Sequence, residues 1–147
     1  MKIVTATLTG LPLDYAAAVA MGIVWQRKQD LQGALPCGRS VLVGPQQSWS
    51  TQQHQWSPST VWDDLGPLLP RHGVLVGPSP TKTASFVAVI GAGWSRRTGS
   101  QEGSTYQEAA TRCIVAASLG PIVEVPEEVV ARGGPYPANA NQESSAC

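Results

Sequence analysis

Three hydroxyls, two carboxylates and two indoles crowd into WSPSTVWDDLGPLL, positions 56–69, and between them they cover several kinds of chemistry. Ser57 and Ser59 are possible nucleophiles, but no base neighbours them in sequence, and only the fold could bring His54 or His72 near. Asp63 and Asp64 suggest a paired acid and base. On a helix, however, adjacent side chains point about 100° apart. Acids placed in a first helical turn, where they complement the dipole, are the better account.

Metal chemistry has less support. His54 and His72 stand eighteen positions apart, and no Cys or His pair has zinc spacing, so no metal or cofactor is expected. The loop GAGWSRRTG at 91–99 is glycine-rich. It lacks the Lys-Ser/Thr of a phosphate-binding loop and the spacing of a dinucleotide fingerprint.

Tryptophans beside arginines offer a different chemistry, which is stacking combined with anion contact. Trp49 and Trp94 sit in stretches poor in aliphatic residues, and Arg96 and Arg97 follow Trp94 closely. A planar anionic ligand would use rings of this kind for stacking and guanidinium groups for its phosphates. Trp56 and Trp62 could join that wall, with Ser57, Ser59 and Thr60 as donors. Equally, the two rings could plug the core beneath the loop.

Elements must hold these residues. The chain has 147 residues, with 42% hydrophobic and 14% charged content, which suits one domain with a real core. Lys2–Ala6 reads as a strand. A helix follows near 11–21, with Pro12 in its first turn, an apolar face of Leu13, Ala16, Ala17 and Ala20, and Gly22 as its stop. Residues 23–26 and 40–43 read as strands, and 44–55 as a polar loop. A short middle helix starts at Ser57, Ser59 or Thr60 and ends or kinks at Gly66-Pro67. Two strands follow, Val74–Val76 and Ser85–Ile90, and then a second soft loop, Gly91–Gly103.

The second main helix spans 104–119. Ser104 or Thr105 caps it with Gln107 or Glu108 three positions on, and Tyr106, Ala109, Ala110, Cys113, Ile114 and Ala117 form its apolar stripe. Cys113 on that inner face reads as a buried free thiol, consistent with a reducing compartment. Ile122–Val125 pairs briefly, and PEEVV forms a terminal turn. The expected fold is α+β, a small antiparallel or mixed sheet of about five short strands packed with two main helices and the short middle one. It forms a single domain over 1–130, and 131–147 is expected to be a disordered tail.

Charge narrows the partners. Ten basic and ten acidic residues cancel, leaving no field for generic nucleic-acid binding. No apolar run reaches the roughly 18 residues of a membrane span, and Asp14 interrupts the N-terminal apolar stretch, which argues against a signal peptide.

Three segments carry a resemblance. LTGLPLDYAAAVAMG (8–22), WSPSTVWDDLGPLLPRHGV (56–74) and GSTYQEAATRCIVAASLGPIVEVPEEVV (103–130) resemble the NinX-like family of small tailed-phage proteins. That family shows a Leu-Thr-Gly…Leu-Asp-Trp-Ala-Val-Ala helix, a Tyr-Ser-Pro-Ser-Thr-Asp-Trp…Gly-Pro segment, and an Ala-Ala-x-Arg-Cys-x-Val-Ala-Ser end. Trp56 replaces the usual Tyr, Val61 replaces the acid before Trp62, and the loops over 26–55 are longer. The resemblance implies a phage accessory protein with an α+β domain acting in the host bacterial cytoplasm, and it brings no activity with it. It also singles out Arg112, which occupies the family's Arg position off the apolar stripe. There it could present a cation beside the WSPST loop, or form a salt bridge with Asp63 or Glu108.

These features together suggest a non-enzymatic binding module. The leading expectation is sequestration of a nucleotide-derived immune signal, such as a cyclic dinucleotide or an ADP-ribose derivative. Its expected ligand residues are Trp56, Ser57, Ser59, Thr60, Trp62, Trp94, Arg96, Arg97 and Arg112. The alternative is an inhibitor that binds a host or defence protein, and third comes a hydrolase acting on such a signal. A homodimer is compatible with either binding role. The WSPST segment is then either a binding wall or a folding device.

Overall fold

The computed structural model describes residues 1–29, 40–47, 54–90 and 100–132. Its first strand, β1 (Lys2–Val4), pairs antiparallel with a strand near the far end, β9 (Ile122–Glu124), in the register Ile3↔Val123. Ile3 and Val123 turn inward, while Val4 and Ile122 stay exposed. The ladder extends beyond the strands. The Met1 ammonium donates to Val125 O at 2.8 Å, and Val125 N donates back to Met1 O at 2.9 Å. A 3-10 turn over Thr5–Thr7 then leads into the first helix.

That helix, α1 (Gly10–Ala20), begins after the extended Thr9 and carries Pro12 in its first turn, where no intrahelical N–H is needed. Gly22, at φ +73, ends it. Leu13, Ala16 and Ala17 are buried as their spacing predicts. Ala18 and Asp14 are buried as well, which one stripe cannot explain. The reason is that α1 packs on both α4 (Tyr106–Leu119) and α5 (Glu127–Arg132), and the 57–60 turn is bonded to Asp14.

Helix α4 follows its pattern most closely. Thr105 Oγ1 accepts the Glu108 N–H at 3.1 Å, and the Glu108 carboxylate reaches back to the Ser104 N–H at 3.1 Å, satisfying two otherwise orphaned donors. Ala109, Ala110, Cys113 and Ile114 are buried against α1 and the sheet. Ala117, expected on the stripe, is exposed near the helix end.

Between these helices lie β2 (Gln26–Gln29), β3 (Ser40–Val43), β4 (Gln46–Gln47), β5 (His54–Gln55), α2 (Trp62–Leu65), α3 (Leu68–His72), β6 (Val74–Pro78), β7 (Phe86–Ile90) and β8 (Gln101–Gly103). The α+β class holds, and every described ladder is antiparallel. The strands form four small sheets among the described residues: β1-β9, β2-β3, β4-β5 and β6-β7-β8. They number nine, against about five expected.

Several boundaries differ from the sequence reading, and strands β4 and β5 lie within the expected 44–55 loop. Residues 23–25 do not enter a ladder; the Ile23 N–H is committed to Ala18 O at 2.8 Å, and pairing starts at Gln26↔Val43. Part of the expected 91–103 loop is strand β8, which completes the meander by pairing with β7. Gly103, at the end of β8, lets the strand lie close against α4, because a Cβ there would lie 2.5 Å from the Ala109 nitrogen. The chain also restarts as α3 after Gly66-Pro67, and α5 runs to Arg132, past the boundary at 130. Arg132 Nη1 pins it to Leu42 O at 2.8 Å, and Glu128 pairs with Arg27. The tail expected at its end lies, from 133 onward, outside the described residues.

Candidate functional site

Asp14 is the centre of the WSPST segment, although it is 42 positions from Trp56 in the chain. It sits on the first turns of α1 and is 0% exposed. Its Oδ2 accepts the Ser57 hydroxyl at 2.6 Å, and its Oδ1 accepts the Ser59 N–H at 2.9 Å. Asp64, on α2, reaches back from the other side, and its Oδ2 accepts the Ser57 N–H at 2.8 Å. Ser57 Oγ lies 2.7 Å from Thr60 Oγ1. Since the Ser57 proton points at Asp14, Thr60 is the donor in that pair.

Local geometry explains why the turn closes here. Thr60 and Val61 N–H both reach Ser57 O, at 3.2 and 2.8 Å, and Pro58 restricts the backbone between them. Trp56 N–H is taken by Pro45 O at 2.8 Å. With these contacts made, the segment presents its polar groups inward to α1 and α2.

Burial dominates the electrostatics. It pushes the Asp14 carboxyl up from 3.8 to about 6. The Ser57 hydroxyl and the Ser59 N–H oppose that rise. The Ser59 hydroxyl also opposes it, although it does not reach hydrogen-bonding geometry, and the nearby Asp64 charge adds to the rise. A serine hydroxyl held by a carboxylate is half of a nucleophile–base pair. Yet Ser57 is only 3% exposed and its Oγ already has two partners, so no substrate carbonyl can be placed against it. The arrangement works as a clamp on the turn.

The expected ligand residues separate under this geometry. Trp56 is 3% exposed and belongs to the core. Ser57 and Ser59 face inward, so they cannot form a ligand wall as the fold stands. Thr60 is exposed, and Trp62, the first residue of α2, is 49% exposed. Trp49, Trp94, Arg96 and Arg97 lie outside the described residues.

Arg112 also departs from its expected place as a cation beside this loop. It is 9% exposed and donates from Nε to Leu8 O at 2.8 Å and from Nη1 to Glu102 O at 2.7 Å. Its ion-pair partner is Glu108, at 3.1 Å, rather than Asp63. The physical cause is the pair of carbonyls, one before α1 and one in β8, that a long forked donor can satisfy together.

The adjacent aspartates diverge as their helical spacing requires, with Asp64 buried and Asp63 exposed. The convergent carboxylates are Asp14 and Asp64, which local spacing could not pair. The signal for Asp14 was a lone acid inside an apolar helix, at the Asp of the matched Leu-Asp motif. Elsewhere, His72 Nε2 lies 3.1 Å from Met21 Sδ, and burial pushes the Cys113 thiol up to about 11. Among the described residues no three His, Cys, Asp or Glu side chains group closely enough to hold a metal ion. No described helix is long and apolar enough to cross a membrane.

The family model described as bacteriophage P22, NinX matches residues 4–118. The chain belongs to the NinX family. The match runs from β1 almost to the end of α4, so it includes Asp14, the Ser57–Thr60 turn, Asp64 and Arg112. Every residue of the clamp therefore lies in the NinX region. A search of curated proteins finds no match to the chain.

Proposed function

We propose that this NinX-family chain is a non-enzymatic phage accessory protein that binds a host or defence protein through the face carrying Trp62. The observation that carries this reading is the contrast at the WSPST segment. Two buried carboxylates fix the turn from inside, and the side chain displayed just after it is a half-exposed tryptophan. An aromatic anchor held rigid before contact loses little conformational entropy on binding, which is what a central interface residue requires. Exposed Asp63 beside it suits a partner with an apolar slot for the indole and a basic rim.

Sequestration of a nucleotide-derived signal keeps fewer supports. Of its expected ligand residues, Trp56, Ser57, Ser59 and Arg112 are committed to core packing or internal hydrogen bonds. Only Thr60 and Trp62 remain displayed among the described residues.

Two parallel measurements test the choice. The tagged full chain and its Trp62→Ala variant are used to capture host proteins, and both are melted against cyclic dinucleotides and ADP-ribose derivatives. The expected outcome is a host protein retained by the wild type and lost by Trp62→Ala, with no nucleotide shift. A nucleotide that raises the melting temperature by several degrees, with capture unaffected by Trp62→Ala, would overturn the proposal in favour of sequestration.

A further inference from the structure

A fully buried acid normally exchanges protons only when the protein opens locally. Asp14 has another route. Its Oδ2 holds the Ser57 hydroxyl at 2.6 Å, and Ser57 Oγ holds Thr60 Oγ1 at 2.7 Å, with Thr60 an exposed residue. These three groups form a continuous hydroxyl chain from the surface to the carboxylate.

We propose that Thr60, Ser57 and Asp14 form a proton path, through which the buried carboxyl gains and loses its proton without the turn opening. Inward transfer moves one proton along each link. A solvent proton joins Thr60 Oγ1, the proton Thr60 was donating passes to Ser57 Oγ, and the Ser57 proton passes to Asp14 Oδ2. No heavy-atom bond forms or breaks, and the net change is one proton added to Asp14. The hydrogen-bond direction is then reversed, with Asp14 donating to Ser57, Ser57 to Thr60, and Thr60 to water. Ser59 N–H still donates to Oδ1 in both states, so the turn keeps its shape while its polarity inverts.

The charged groups on the elements packed around Asp14 do not short-circuit this path. From α2, Asp64 faces it across Ser57 and favours the protonated state. On α4, Arg112 is committed to Leu8, Glu102 and Glu108, and the Cys113 thiol is neutral. On α5, Glu128 pairs with Arg27, Arg132 donates to Leu42 O, and Glu127 is exposed.

Carboxyl carbon NMR of the full chain over a pH titration tests it, with the Asp14 signal assigned by its loss in Asp14→Asn. In the wild type, the signal should move continuously as a single averaged line. Thr60→Val removes the outer hydroxyl while keeping the shape, and should slow exchange at least about tenfold, splitting the line into charged and neutral signals near the midpoint. Thr60→Ala should do the same, and Thr60→Ser should restore the averaged line. A single moving line in both Thr60→Val and Thr60→Ala would overturn the path. So would an Asp14 signal that does not titrate near pH 6 in the wild type.

Discussion

Replacing Asp14 with asparagine isolates the cost of holding a charge in the clamp. The folded carboxyl keeps its proton up to about pH 6, whereas an unconstrained one releases it near 3.8. Between those values the folded state binds more protons than the unfolded state, so raising the pH lowers stability. The loss is absent below the lower value and complete above the upper one. At about 1.4 kcal/mol per pH unit, the gap between 3.8 and about 6 corresponds to about 3 kcal/mol from this one group. Asparagine matches the protonated form, since its Oδ1 can accept the Ser59 N–H and its Nδ2 can donate to Ser57 Oγ. Asp14→Asn should therefore equal the wild type near pH 4 and exceed it at pH 7 by up to about 3 kcal/mol, roughly 10 °C in melting temperature for a chain of this length. Urea unfolding of both proteins across that range measures the difference directly, because other carboxylates cancel between them. Parallel stability curves would refute the reasoning, and so would a variant weaker at pH 7 than at pH 4 relative to the wild type. The charge would then be compensated inside the fold.

Two further predictions concern side chains placed by burial and internal hydrogen bonds. Arg112→Lys keeps the charge but cannot span Leu8 O and Glu102 O together, so equilibrium unfolding should show a loss of about 2–3 kcal/mol. Trp56→Ala should cost about 3–5 kcal/mol, whereas Trp62→Ala should change stability by no more than about 0.5 kcal/mol. Denaturant midpoints check that contrast, and equal losses would contradict the burial assigned to the two rings.

The legible parts of the fold are those in which local pattern and tertiary demand agree. Helix α4 could be read because Thr105 and Glu108 cap it through contacts three residues apart and its apolar residues fall on one face. The β6–β7 hairpin could be read because its strands are apolar and a turn-rich segment joins them. Strand β8 could not be, because Gln-Glu-Gly has no alternation, and it is a strand only by virtue of the β7 edge it meets. The β1–β9 ribbon was half legible, since two short apolar runs could be seen but not their pairing across the whole chain.

The sequence by itself determined which groups were available. It determined a helix that opens with Leu-Asp, a turn rich in hydroxyls with two acids after it, and an arginine one step off an apolar stripe. Tertiary structure alone decided how they are spent. Burying Ser57, Ser59 and Asp14 together removes each from water, so the Asp14 carboxylate takes up the Ser57 hydroxyl and the Ser59 N–H that are buried with it. Arg112 meanwhile donates to the carbonyls of Leu8 and Glu102, and Thr60 and Trp62 face outward. The bonds from Asp14 to the turn and from Arg112 to Leu8 link residues 43 to 104 positions apart, across distances that no local spacing encodes.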